Sequence, residues 1–136
     1  MLLSGSLKKD GKFWLVEIPL LDYMTQGFSK KEAYKMAADI VESGVHRRGF
    51  SVEVIPYGKD QFFLKANNSA LLLAHMLRRL RQKHGLTARE AAKKLGSSSP
   101  NAYAAYEQGK ASPSVEKLEQ LLKAVDEKLD ISILAA

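Results

Sequence analysis

The sequence predicts an α+β chain: a small β-sheet/helix unit over residues 1–66 and an all-α unit with a short terminal strand over residues 70–136. Three observations predict it. Apolar residues in the first half come in short runs or with period two, as in strands. After Ser69 they recur at i, i+3 and i+4, as in helices. The charge divides the same way. Residues 69–110 carry 8 Lys+Arg against 2 Asp+Glu, whereas residues 1–68 carry 10 against 8 and residues 111–136 carry 3 against 5.

Leu2 to Leu7 reads as a strand, followed by a turn at Lys8-Lys9-Asp10-Gly11. Phe13 to Ile18 is an almost continuous apolar run stopped by Pro19, the pattern of a strand covered on both faces. Leu20 to Thr25 is a further extended piece, closed by Gln26-Gly27. Ser29 with Glu32 three residues on is a capping box. It opens a helix over about 30–43 with Ala33, Met36, Ala37, Ile40 and Val41 on one stripe and Gly44 just past its end. Ser51 to Ile55 and Gln61 to Lys65 read as a hairpin around Tyr57-Gly58-Lys59-Asp60.

Asn67-Asn68-Ser69 reads as a short linker and a helix N-cap. Leu73, Leu77 and Leu80 run down a helix over about 70–84, ended by Gly85. Thr87 and Glu90 form a second capping box for a helix from Ala88 to Leu95. Ser99 with Pro100 opens a third helix, to about Gln108. Ser112 or Ser114 opens a fourth, striped by Val115, Leu118, Leu121, Leu122 and Val125. Leu129, Ile131 and Ile133 alternate with Asp130 and Ser132, which predicts the terminal strand, pairing within the chain or across a dimer.

Composition narrows the function. The longest apolar run, Ala70 to Ala74, is far below the ~20 residues of a membrane span. No basic segment precedes a long apolar stretch at the start, so a cytoplasmic chain is expected. The absence of cysteine excludes disulfides and thiolate metal sites. A formal charge of +6, concentrated in 42 residues, suits a phosphate-bearing partner.

Two consecutive short helices joined by a Gly-containing turn form a helix-turn-helix unit. Leu77-Arg78-Arg79-Leu80-Arg81, Gly85-Leu86-Thr87, Glu90-Ala91-Ala92-Lys93-Lys94-Leu95-Gly96, Tyr106-Glu107-Gln108-Gly109-Lys110 and Pro113-Ser114-Val115-Glu116-Lys117-Leu118 together resemble the Cro/repressor-type (Xre-like) helix-turn-helix family over residues 70–126. In the first half, Pro19 to Glu42 resembles the HicB antitoxin pattern: a strand ending in Pro, a Thr-x-Gly turn and a Ser-x-x-Glu-Ala helix. That family's first domain is a partial RNase H-like fold, and many members append a helix-turn-helix.

The resemblances imply a set of roles. The third helix of the second unit would enter the major groove of double-stranded operator DNA. Ser99, Asn101, Ala102 and Ala105 would then face base edges, and Arg78, Arg81, Lys83, Thr87, Arg89, Lys93 and Lys110 would hold phosphates. Tyr103 and Tyr106 align with core positions, and Glu107 with a residue that pairs internally. The first unit would wrap a cognate toxin, a small basic ribonuclease. Its acids Glu17, Asp22, Asp39, Glu42, Glu53 and Asp60 are interrupted by Lys8, Lys9, Lys30, Lys31, Arg47 and Arg48, so charge alone does not mark the contact surface. A homodimer or higher oligomer is expected, because one module makes few base contacts and a two-fold operator supplies two half-sites.

No catalytic residues, cofactor or metal are expected. The acids are scattered, His46, His75 and His84 lack metal-ligand spacing, and no Gly-rich phosphate loop is present. His75 and His84 read as solvated. Two rivals remain open: a stand-alone transcription regulator whose first domain senses a small molecule, marked by an apolar pocket within residues 1–66, and a degenerate RNase H-like nuclease, marked by metal-dependent cleavage.

Overall fold

A computed structural model describes residues 1–96, 100–133 and 135. The first half is a five-stranded antiparallel sheet crossed by one helix. Strand β1 (Leu3–Asp10) and strand β2 (Phe13–Ile18) form a hairpin whose two loop residues are Gly11, at φ +57°, and Lys12. The expected turn at 8–11 therefore starts later. Lys8 and Lys9 pair with Leu15 and Trp14 inside the hairpin, because the left-handed backbone the loop requires is available at Gly11.

Pro19–Leu21 is a 3-10 turn, not the start of an extended piece, and strand β3 spans Tyr23–Gly27. Asp22 closes the turn in the left-handed region, at φ 53°, which short polar side chains tolerate. Helix α1 (Lys30–Val45) is capped by Ser29, whose hydroxyl accepts the Glu32 N–H at 3.1 Å. The Glu32 carboxylate accepts the Phe28 N–H at 3.2 Å, one residue earlier than in a capping box. The helix runs two residues beyond expectation, and Gly44 lies inside it. Strand β4 (Val52–Tyr57) and strand β5 (Gln61–Ala66) complete the sheet, in the order β3-β2-β1-β5-β4.

The pleat sends Leu3, Gly5 and Leu7 to one face with Val16, Ile18, Phe62 and Leu64, all buried. Alpha-1 covers that face with Ala33, Ala37 and Val41. A Cβ at Gly5 would enter the ring of Phe62, so this glycine is where the aromatic ring packs onto the strand. Beta-2 is thus covered on one face only. Phe13 and Leu15 point to the other face and stay half-exposed, a correction to the reading of that run.

Four helices follow: α2 (Ser69–Lys83), α3 (Ala88–Lys94), α4 (Pro100–Glu107) and α5 (Val115–Val125). Asn68 caps α2 by accepting the Leu71 N–H at 3.1 Å, and Ser114 caps α5 by accepting the Lys117 N–H at 3.1 Å. Val115, expected in the α5 stripe, is 69% exposed, since a first-turn residue can lie beyond the helices that α5 packs against. The expected terminal strand is absent over 129–133, and Leu134 lies outside the described residues. Leu129 and Ile131 pack on the core while Ile133 is 95% exposed. Alternation makes a strand only where a partner edge completes the ladder.

Alpha-2 is buried almost all round, through Leu72, Ala74, His75, Met76, Leu77 and Leu80. The core is one cluster running from the sheet through this helix to α5. Asn67 ties down the chain ahead of α2: its Oδ1 accepts the Ser51 N–H at 3.0 Å and its Nδ2 donates to the Gly49 carbonyl at 2.7 Å. No described helix is long and apolar enough to cross a membrane.

Candidate nucleic-acid interface

The geometry of the basic half starts with what holds it together. Thr87 and Glu90 complete a capping box at the start of α3. The Thr87 hydroxyl accepts the Glu90 N–H at 3.1 Å, and the Glu90 carboxylate accepts the Thr87 N–H at 3.4 Å. Ala91 and Ala92 are buried, and such small side chains let α3 lie close to α4. Tyr103 is fully buried and Tyr106 packs on the core from a half-buried position. The Tyr103 hydroxyl has no hydrogen-bond partner among the described residues. Burial, then the charge of Glu107, pushes its ionisation well above the usual range, so it stays neutral.

Arg81 corrects the sequence-based reading. Its Nε donates to both carboxylate oxygens of Glu107, at 2.9 and 3.1 Å, and its Nη1 donates to the Leu86 carbonyl at 2.8 Å. The two side chains are only 15% and 6% exposed. Arg81 is therefore a strut tying α2 to α4 and to the turn before α3, and its guanidinium is engaged inside the fold. The expectation that Glu107 pairs internally agrees with this geometry. Lys83 also departs from its expected place. It reaches Asp22 at 4.0 Å, on the side of α2 that faces the sheet unit.

That side of α2 was missed as a unit. His75, Arg79 and Lys83 are four residues apart and share one helix face. Arg79 Nε donates to the Leu21 carbonyl at 2.7 Å, its Nη2 donates to the Asp22 carbonyl at 3.0 Å, and its guanidinium lies 4.4 Å over the Tyr23 ring. The Tyr23 hydroxyl and His75 Nε2 share a hydrogen bond of 2.9 Å. A Cβ at Gly44 would collide with both groups, so the glycine inside α1 makes room for this junction. His75 is buried rather than solvated. Burial, then the charges of Arg79 and Arg78, lower its pKa to about 4. His84 pairs with Asp126 at 3.4 Å.

The remaining site candidates lie at the surface. Asn101 and Ala102 are exposed on the first turn of α4, and Ala105 is half-buried one turn on. Ser99 lies outside the described residues. Arg78, Thr87, Arg89, Lys93 and Lys110 are exposed. Arg89 and Lys93 are four residues apart on α3, so they share a face. Arg78, Arg89, Lys93 and Lys110 form no ion pair among the described residues. Arg78 lines a shallow cleft with Gly44, Arg47, His75, Glu107 and Gln108, where the end of α1 meets α2 and α4. Among the described residues, no group of three or more His, Asp or Glu side chains could hold a metal ion.

Four helices pack around one core, a buried ion pair joins α2 to α4, Asn101 and Ala102 are open on the first turn of α4, and exposed cations sit on α2, on α3 and just after α4, an arrangement that suits a helix-turn-helix unit. Residues 77–131 match a helix-turn-helix family model. The match supports the Cro/repressor-type reading of the second half and points to DNA binding of the kind seen in transcription regulators. It covers less than half of the chain and does not reach the sheet unit. No curated protein matches the chain.

Proposed function

We propose that the chain is a HicB-type antitoxin that represses its own operon. The helix-turn-helix unit, residues 70–136, binds operator DNA as a homodimer. The partial RNase H-like unit, residues 1–66, neutralises an mRNA-cleaving toxin. The observation that carries the DNA half is the division of cations. Arg81 is engaged by Glu107, whereas Arg78, Arg89, Lys93 and Lys110 are exposed and form no ion pair among the described residues. With Thr87 they form the phosphate-holding set, without Arg81 and Lys83. Asn101 and Ala102 face base edges, with Ser99 before them and Ala105 behind. An amide can pair with the N6 and N7 edge of adenine, and an alanine can touch a thymine methyl. So short a reading head also leaves room for recognition through DNA shape.

The toxin-binding half rests on the resemblance of Pro19 to Glu42. Support comes from how that stretch folds: a proline-started turn, a short strand and a Ser29-capped helix make one continuous segment against the sheet. The test is purification of the tagged chain from its host, with mass spectrometry of what accompanies it. The expected result is a small basic protein in near-equal amount, toxic alone and silenced by this chain. A preparation with no such partner overturns the antitoxin reading and leaves the helix-turn-helix as the whole function. For DNA, Asn101→Ala is expected to lower discrimination between operator and unrelated duplex by about 1–3 kcal/mol. Lys93→Ala is expected to weaken all duplexes alike and to flatten the salt dependence by about one unit of slope. An unchanged slope removes Lys93 from the set.

A further inference from the structure

The sheet has an outer face that no element among the described residues covers. Cross-strand partners share a face, so the register assigns it residue by residue. On one flank lie Phe13 and Leu15 of β2 and Met24 of β3, with Phe28 just beyond, its ring 5.0 Å from that of Phe13. On the other flank lie Phe63 of β5 with Ile55 and Tyr57 of β4, the rings of Tyr57 and Phe63 being 5.2 Å apart. Ser4 and Ser6 of the central strand run between them. The face is therefore a furrow floored by serine between two apolar ridges. Met24 and Phe28 are 66% exposed and Tyr57 is 59% exposed. At about 200 Å² for a fully open side chain of this size, these three alone leave about 400 Å² open. That is about half of the ~800 Å² that each partner gives to a stable interface, before the other four are counted.

We propose that this face is the contact between two copies of the chain, each placing its Phe63–Tyr57 ridge in the furrow of the other. Charge selects that occupant. The face carries Lys8 and Lys65 with Asp10, Glu17 and Glu53, a nearly balanced mixture in a chain of net charge +6. An isologous contact uses one patch twice, so that patch must complement itself, and mixed signs do so. The helix-turn-helix segment, with 8 Lys+Arg against 2 Asp+Glu, would repel its own copy and stays free for DNA. The inference shares the two-fold symmetry of the operator reading and assigns that symmetry to the sheet, not to the C-terminal tail.

The experiment is sedimentation equilibrium of the full chain at micromolar concentrations. The wild type is expected at twice its 15.1 kDa, and the double variant Met24→Glu, Tyr57→Glu at 15.1 kDa. Both residues are more than half exposed in the single chain, so the variant keeps its fold, read by far-UV circular dichroism. Phe28→Glu, outside any strand, is the second variant and is expected to weaken the dimer in the same direction. Ile133→Glu is expected to leave the mass doubled. A monomeric wild type overturns the proposal, as does a double variant that stays dimeric or an Ile133→Glu chain that falls to 15.1 kDa. It is also overturned by a monomeric wild type that binds a purified small basic ribonuclease through this face, lost on Met24→Glu. Binding to a 20-base-pair duplex of arbitrary sequence is read in parallel. The monomeric variant is expected still to bind the duplex, with about half the wild-type salt slope because one module rather than two meets phosphates, whereas a wild-type dimer that binds no duplex breaks the DNA reading alone, so failure of the dimer and failure of the DNA reading are distinguishable.

Discussion

The sheet unit and the helix-turn-helix unit share one core but are held by different physics. Around the sheet, Val16, Ile18, Leu21, Phe62 and Leu64 are buried, and among the described residues no charged side chain is buried with them. Between the helices, the core of buried alanines and Tyr103 also holds the largely buried Arg81–Glu107 pair. Apolar packing is non-directional and tolerates adjustment, whereas a charge-assisted hydrogen bond from one guanidinium N–H shared by two carboxylate oxygens specifies distance and angle. The difference teaches that a unit made of short helices can fix the pose of α4 with one oriented pair. Its other cations then remain at the surface.

The sharpest test of this contrast removes one member from each side. Phe62→Ala opens a cavity under Gly5 and is expected to lower stability by about 3–5 kcal/mol in urea unfolding, with the far-UV spectrum of the remaining fold kept. Glu107→Ala leaves the Arg81 guanidinium half-buried and unpaired, with an expected loss of about 3 kcal/mol. Arg81→Ala is expected to destabilise without changing the salt slope of DNA binding, the opposite of Lys93→Ala. An Arg81→Ala chain of full stability and flattened slope would return Arg81 to the phosphate set.

The junction between the two units gives a smaller, pH-dependent effect. His75 has a pKa of about 4 in the fold against 6.5 unfolded, so the unfolded chain binds a proton that the folded chain does not. Stability from this residue is therefore full above pH 6.5 and falls as the pH drops toward 4, by up to about 3 kcal/mol over that window. His75→Gln is expected to flatten the dependence. A wild-type profile with the same slope as the variant would show that Tyr23 and His75 do not couple the units.

Much of the framework around the candidate site is legible in the sequence. The capping boxes placed the starts of α1 and α3 to the residue, and Glu107 was read as paired because its neighbours repeat a known spacing. The misreadings have one cause. Arg78, Arg79, Arg81 and Lys83 look alike as a basic run, but a helix turns about 100° per residue and points them in different directions. Arg79 meets carbonyls at the end of the 3-10 turn, Arg81 meets Glu107, and Arg78 stays in solvent. The spacing of His75, Arg79 and Lys83 was a readable signal. Only the presence of Tyr23 and Leu21 on the far side gave it meaning.

By itself the sequence determined the element order, the helix caps, the excess of cations in the second half and the absence of thiol chemistry. Each depends on neighbours within a turn or on composition. Tertiary structure alone decided three other things: that α2 is buried on both sides, that Arg79 and Arg81 brace the fold while Arg78 and Arg89 face outward, and that Phe13 and Leu15 stay uncovered. Each depends on a partner 26 or more residues away or, for the open face, on the lack of one within the chain. The terminal alternation shows the same limit, since Leu129 to Ile133 has the period of a strand but pairs with no strand among the described residues. Local rules set what a segment can be, and long-range contacts set what it touches.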